Sequence, residues 1–405
     1  MNKEYNKKVN LFVMGLGFFY FALFLMIYDA EITIYNTSLL AFSYKYGFIP
    51  RAFVGTVYQL IDTILPVNMY TYPMAMRFVE LVTAVFFLLM LLVARKTMLM
   101  ASEKHFRLMG LLWIIYGTLF VSMFSSKYNF GRVDLFMLLI DVVGVLLLLY
   151  RRCEWLIIPM SMIGVLVHEG FVFMYFGILL VILFYRFMTT NEKKKYGLIF
   201  ALSFIGASAL FLYIHFVREP VSDAVFMEIY RQGRRLSNIN MPHVSLLQAE
   251  LLCVNLGDIE KAFHMENFVQ LPMFLVLISP YLILLAKIYK KIMKKSKTLQ
   301  EKLTGLAIIC GWMTLLPNYL LKVDYGRWVF ATFSYMLLVF ITMIADGNQL
   351  LIDSFEEEHA IISKHPGLGE LLLIYPILLV PFWDVYINGM LKELGDWINI
   401  YLRLY

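Results

Sequence analysis

Charge and cysteine are what this sequence has least of. Only 16% of its 405 residues are Asp, Glu, Lys or Arg, against roughly a quarter in soluble domains. Its three cysteines, Cys153, Cys253 and Cys310, fall in separate segments, so neither a disulfide framework nor a thiolate metal site is implied. The sequence has no P-loop, no GxSxG, no HExxH and no GxGxxG. It also has no Asp-x-Asp of the kind that holds a metal and a sugar nucleotide. These absences argue against a nucleotide-fuelled cytoplasmic reaction, and they leave no metal and no cofactor to expect. Internal repeats and low-complexity stretches are missing too. The basic residues punctuate apolar blocks and form no soluble basic face, so nucleic acid is not an expected partner.

What is abundant is apolar sequence, 61% of the chain, in blocks long enough to cross a bilayer. The blocks predict an all-α polytopic membrane protein with about eleven spans, at about 11–28, 76–94, 108–124, 133–150, 155–167, 170–187, 197–216, 269–287, 303–320, 328–345 and 369–386. The first follows Lys3, Lys7 and Lys8 and is read as a retained span, because it is long for a signal peptide and no small-residue cleavage site follows. The block 155–167 is short, which suggests a tilted helix or one that crosses only in part. The whole chain, 1–405, reads as one membrane domain.

Lysine and arginine set the orientation. With the N-terminus in the cytoplasm, the inner segments are 1–10, 95–107, 151–154, 186–197, 286–302 and 346–368, and they hold 16 Lys and five Arg. Two long extracytoplasmic loops follow, at about 29–75 and 217–268, and a C-terminal amphipathic tail from Ile387 is anchored by Trp397, Tyr401 and Tyr405. The outer side holds nine Arg and only five Lys. Positive charge inside needs only lysine, whereas arginine offers a planar fork for phosphate or carboxylate. Arginine kept outside therefore points to recognition of an anion there. The plainer explanation is headgroup snorkelling and loop salt bridges.

Short polar motifs gather on that outer side. Tyr46-Gly47-Phe48-Ile49-Pro50-Arg51 leads into an amphipathic run, 51–65, that reads as a helix with Arg51 at its first turn. Lys127-Tyr128-Asn129-Phe130-Gly131-Arg132-Val133-Asp134 forms a turn between spans. Asp134 and Asp141 share a helix face, and Asp141 lies about 10 Å deeper. A carboxylate at that depth needs a partner or a wet cavity. His168-Glu169 sits where two apolar pieces meet, and His is suited to proton transfer near neutral pH. Asp324-Tyr325-Gly326-Arg327-Trp328 precedes the tenth span, with Asp324 and Arg327 spaced to pair on one helical turn. Asp29 and Glu31 follow the first span, and the loop from Arg218 to Asn267 carries Arg231, Arg234, Arg235, His243 and His264 without metal-ligand spacing.

The run Tyr46 to Arg51 with Gly55, the His168-Glu169 pair and Asp324 to Trp328 together resemble the Wzy-type polymerases of bacterial capsule, exopolysaccharide and O-antigen loci and related GT-C-like glycosyltransferases. That resemblance implies a multi-pass protein of the bacterial cytoplasmic membrane. It would polymerise glycans carried on undecaprenyl (pyro)phosphate at the extracytoplasmic face, beside membrane lipids, a flippase and a chain-length regulator. Arg51, Arg132 and Arg327 would then stabilise the leaving phosphate. His168, Glu169 and Asp324 are candidates for the base, Asp134 supports substrate binding, and Tyr128 and Trp328 would stack on sugar rings. The chain departs from typical GT-C members in having no soluble C-terminal domain and no strong acidic pair after its first span. A transporter or flippase of lipid-linked glycans is one rival, against which the missing repeat counts. A membrane O-acyltransferase using His168 is another, and it leaves the outer arginines unexplained.

Overall fold

In a computed structural model, the chain is described over residues 3–28, 39–125, 129–217, 221–236, 278–321 and 325–365, with a few isolated positions besides. Among these residues every regular element is helical. In chain order the helices are α1 (Lys3–Ile27), α2 (Ala52–Ile64), α3 (Tyr72–Met100), α4 (Phe106–Ser125), α5 (Val133–Tyr150), α6 (Ile157–Val167), α7 (Phe171–Met174), α8 (Phe176–Thr189), α9 (Lys193–Leu212) and α10 (Asp223–Arg235). They continue with α11 (Ser279–Lys295), α12 (Leu299–Met313), α13 (Leu316–Leu321), α14 (Tyr325–Ala345) and α15 (Gln349–Ile362). Six stretches are long and apolar enough to cross a membrane: Lys3–Met26, Tyr72–Met100, Glu103–Ser125, Val133–Tyr150, Lys193–Val217 and Gly326–Ala345. The chain is a multi-pass helical membrane protein.

Other expected spans take shorter forms. The stretch 155–167 becomes α6, whose 11 residues rise only about 16 Å at 1.5 Å per residue, about half the thickness of a hydrocarbon core. The stretch 303–320 is divided between α12 and α13, with the break at Thr314 and Leu315. That at 269–287 is helical from Ser279 onward, and that at 369–386 lies outside the described residues.

The lateral arrangement follows burial. On α14 the stretch from Trp328 to Ala345 is buried throughout, so this helix runs through the middle of the bundle, packed on α3, α4, α5 and α8. Its ring contacts with α4 include Phe330 against Phe120 and Phe124, each at 5.4 Å. By contrast α1 and α9 expose Leu11, Met14, Phe18, Phe204 and Ile205, apolar faces suited to lipid. Without a hydrophobic drive between helices in lipid, close packing holds them together, and small residues permit it. Where α8 crosses α12, a Cβ on Gly177 would lie 2.8 Å from the Gly311 carbonyl oxygen.

Ion pairs divide the bundle into two ends. At one end Lys8 meets Glu103 at 4.0 Å, Arg95 donates to Asn10 at 2.9 Å, and His105 contacts Glu356 at 2.7 Å. At the same end Lys291 contacts Glu358 at 2.7 Å, and Arg186, fully buried, forms a fork to Asp346 at 2.9 and 3.1 Å. Arg186 also donates to the Leu148 carbonyl at 2.6 Å and lies 3.5 Å from Glu154. These are the segments assigned to the inner side from lysine content, and they meet at a single end. Arg186 does more there than mark orientation, since it ties α8 to α5 and to the end of α14. At this end α12 begins with a capping box in which Thr298 and Glu301 satisfy each other's backbone amides.

Candidate functional site

The opposite end is organised around two ion pairs. The first begins with α2. Ser43 hydrogen-bonds Gln59, and the Tyr44 amide donates to Thr56 Oγ1 at 2.9 Å, so the helix is strapped to the preceding loop. Gly55 makes this approach possible, because a Cβ there would sit 1.9 Å from the Phe42 carbonyl oxygen. The amphipathic run expected from 51–65 is thus a helix whose buried face rests on its own lead-in. Arg51, just before it, has a left-handed backbone with φ 59° and ψ 16°, which costs an L residue about 1–2 kcal/mol. Its guanidinium is buried against Glu169, with Nε donating to the two carboxylate oxygens at 3.0 and 3.1 Å and Nη2 also contacting Oε1.

The second pair is built on α5. Asp134, fully buried in the first turn, accepts from Arg327 Nε and Nη2, both at 3.0 Å. Its other oxygen accepts from the Tyr175 hydroxyl at 2.9 Å. Arg132 Nε stands 3.8 Å away, and Arg132 Nη1 donates to Asn129 Oδ1 at 2.9 Å. The Arg327 guanidinium lies 5.2 Å from the centre of the Trp328 ring. Asn36 donates to the Phe130 carbonyl at 2.8 Å and fixes the turn before Arg132.

His168 links the two pairs. It ends α6 in extended backbone, and the chain turns there before α7. The Gly170 amide donates to His168 Nδ1 at 2.8 Å. That lone pair is therefore engaged, and in the neutral ring Nε2 carries the proton. His168 Nδ1 lies 3.9 Å from Glu169, and one narrow cavity is lined by Arg51, by Val133 beside Asp134 and by Val167 beside His168. Because α6 is short, this turn is recessed into the bundle, where irregular backbone is tolerated only when enclosed by protein or lining a cavity. Helix α2 reaches in to meet it, packed on α6.

Arg51, Arg132, His168, Glu169, Asp134 and Arg327, read from four separate motifs, are thus drawn into one cluster. Its form differs from an open cleft. The three arginines are at most 8% exposed, and among the described residues the narrow cavity bounded by Asn36, Leu39, Arg51, Val133, Phe136 and Val167 lies against Arg51. Trp328 is buried with the cluster and offers no open face to a ring. Asp324 and Tyr128 lie outside the described residues, as do Asp29, Glu31, His243 and His264. Arg327 bonds Asp134 across 193 positions, and the expected pairing of Arg327 with Asp324 lies outside the described residues. Asn129 lies within the Lys127–Asp134 motif, which assigns it no role, and Tyr175 is the member that no motif contains. Tyr175 stands among aromatics in an apolar run, where nothing in the sequence sets its hydroxyl apart. Among the described residues no group of His, Cys, Asp or Glu could hold a metal ion.

No known protein family, no curated protein and no solved structure matches this chain. What defines it is therefore the fold and the cluster: a multi-pass helical membrane protein with a recessed, buried centre of three arginines, two carboxylates and a histidine.

Proposed function

We propose that this protein is a membrane glycosyltransferase of the bacterial cytoplasmic membrane. In this reading it crosses about eleven times with the N-terminus inside, and it polymerises repeat units carried on undecaprenyl (pyro)phosphate at the extracytoplasmic face. One observation carries the reading: Arg51, Arg132, His168, Glu169 and Arg327, from motifs scattered over 277 positions, form a single centre at the end opposite the lysine-rich segments. Concentrating arginine there matches the need to stabilise a leaving phosphate, and a recessed site at the level of the outer leaflet can receive a lipid-linked donor from the side.

The geometry refines the roles. With Nδ1 engaged by Gly170, His168 presents an Nε2–H, a donor suited to the leaving phosphate oxygen and not a base. The base is then a carboxylate that the arginines hold until substrate arrives. A phosphate that draws Arg51 away frees Glu169 to accept the proton of the attacking hydroxyl. Arg327 and Asp134 stand in the same relation, and Asp324 remains a further candidate for the base.

The test is direct. Purified protein in lipid is given a labelled undecaprenyl-diphosphate oligosaccharide from a host polysaccharide locus. Glycosyl transfer produces longer lipid-linked oligomers and one free undecaprenyl diphosphate per bond formed. Binding or bilayer translocation of the substrate without lengthening would instead assign the protein to transport.

A further inference from the structure

One buried charge in the bundle has no place in the scheme above. Asp141 is the ninth of the 18 residues of α5, midway along the helix and about 10 Å inward from Asp134. It is fully buried, and neither carboxyl oxygen has a hydrogen-bond partner.

Among the described residues, the helices packed most closely on α5 supply no counter-charge. These are α3, α6, α8 and α14. Helix α6 has no ionisable residue. On α3, Arg77 is exposed, Glu80 accepts from Tyr28, Arg95 donates to Asn10, and Lys96 lies over the Tyr150 ring; Tyr72 is at its outer end. On α8, Arg186 is committed to Asp346 and neighbouring Tyr185 sits at the same end. On α14, Arg327 is committed to Asp134 and Tyr335 to the Ile308 carbonyl, with Tyr325 at the start of the helix. Glu154, in the short turn before α6, is held by Arg186, Lys195 and Tyr196. Asp141 lies on the same face of α5 as Asp134, which the Tyr175 hydroxyl bonds.

A bare carboxylate in such a place is costly, and inside a membrane an ionisable group of this kind marks an ion or proton site by default. Among the described residues no cation faces it, so its counter-charge is drawn from solution. We propose that Asp141 is a mid-membrane cation site that holds a proton or a sodium ion. The inference does not rest on glycosyl transfer, since a coupled cation would serve a transporter equally.

The experiment treats the purified protein in lipid with dicyclohexylcarbodiimide in sodium-free buffer at neutral pH and maps the adduct by mass spectrometry. The reagent partitions into hydrocarbon and reacts with a carboxylic acid. The carboxyl oxygen bonds to the central carbon, the acid proton moves to nitrogen, and acyl migration gives a stable N-acylurea with nothing released. Label is expected on Asp141, none on Asp134, and none at position 141 in Asp141→Asn. Suppression by sodium chloride but not by choline chloride identifies sodium as a competing occupant, and indifference to both identifies a proton site. Infrared difference spectra of wild type against Asp141→Asn read the same group without a reagent. A carboxylic acid carbonyl band, or a carboxylate band that moves with sodium, supports the site. An unlabelled Asp141 that gives only a sodium-insensitive carboxylate band overturns it.

Discussion

Arg51 and Glu169 are 118 positions apart, yet Arg51 Nε lies 3.0 and 3.1 Å from the two oxygens of the Glu169 carboxylate. The contact joins a helix that enters from the loop side to a turn recessed within the bundle. Both residues are buried, so neither charge can be left alone. Removing one partner of such a pair costs about 3–5 kcal/mol, whereas replacing both with apolar residues of similar volume is often neutral. We expect Arg51→Met and Glu169→Leu each to lower the midpoint of thermal unfolding in detergent sharply. The double variant should recover most of that loss and still form no product. A double variant that recovers both stability and activity would make the pair purely structural.

Asp134 should behave as a hub. Tyr175→Phe removes one hydrogen bond to a charged group, worth about 1.5–3 kcal/mol. Asp134→Asn leaves Arg327 buried without its counter-charge and should cost more, about 3–5 kcal/mol. Unfolding curves for the two single variants and the double variant check the order. If Tyr175→Phe costs as much in the Asp134→Asn background as in wild type, the hydroxyl is not acting through Asp134.

Gly55 and Gly15 make a matched comparison. A methyl group at 55 would meet the Phe42 carbonyl oxygen at 1.9 Å, whereas nothing lies within 4 Å of one at 15. Gly55→Ala must push α2 away from its lead-in, and Arg51 with it, so protease sensitivity should rise and Arg51–Glu169 function should fall. Gly15→Ala lies in a helix interior and should be neutral or stabilising by up to about 1 kcal/mol. Equal tolerance of both substitutions would contradict the packing of α2.

Several of these relationships were legible in the sequence and several were not. Long apolar blocks with lysine-rich ends gave the helices and sorted the chain into two ends, because burial of backbone polar groups leaves a bilayer-spanning chain few alternatives. Residue type also singled out Arg51, Arg132, His168 and Arg327. Partner choice was hidden. Nothing local in Gly326-Arg327-Trp328 says that Arg327 will bond Asp134, because long-range pairing is decided by how α5, α8 and α14 pack. Arg186 read as an orientation signal, and only its packing shows it to be the buried counter-charge of Asp346. Block length suggested that 155–167 would not cross fully, but not that its end would meet α2.

Orientation is open to a simple check. Cysteines are introduced singly at positions 127 and 294 in a background without Cys153, Cys253 and Cys310. In intact cells an impermeant maleimide should label position 127 and spare position 294 until the membrane is permeabilised. The reverse pattern would place the arginine centre on the cytoplasmic side and remove the lipid-linked donor from the argument.

The last prediction concerns the chemistry of arginine. Lysine at position 51 or 327 keeps the positive charge but loses the planar fork that meets a carboxylate or phosphate with two parallel hydrogen bonds. If the two arginines serve only to balance Glu169 and Asp134, one ammonium bond to each acid should suffice to hold the fold. If they also stabilise a leaving phosphate, the lost preorganised contact should cost about 3–4 kcal/mol of barrier, roughly a hundred- to a thousandfold in rate. Arg51→Lys and Arg327→Lys should therefore insert and unfold much as wild type does, yet accumulate single lipid-linked repeats in place of polymer. Polymer length in cells at matched protein level, read beside thermal stability of the same variants, separates the two roles. Wild-type polymer from both lysine variants would reduce the arginines to structural counter-charges and take away the main support for glycosyl transfer.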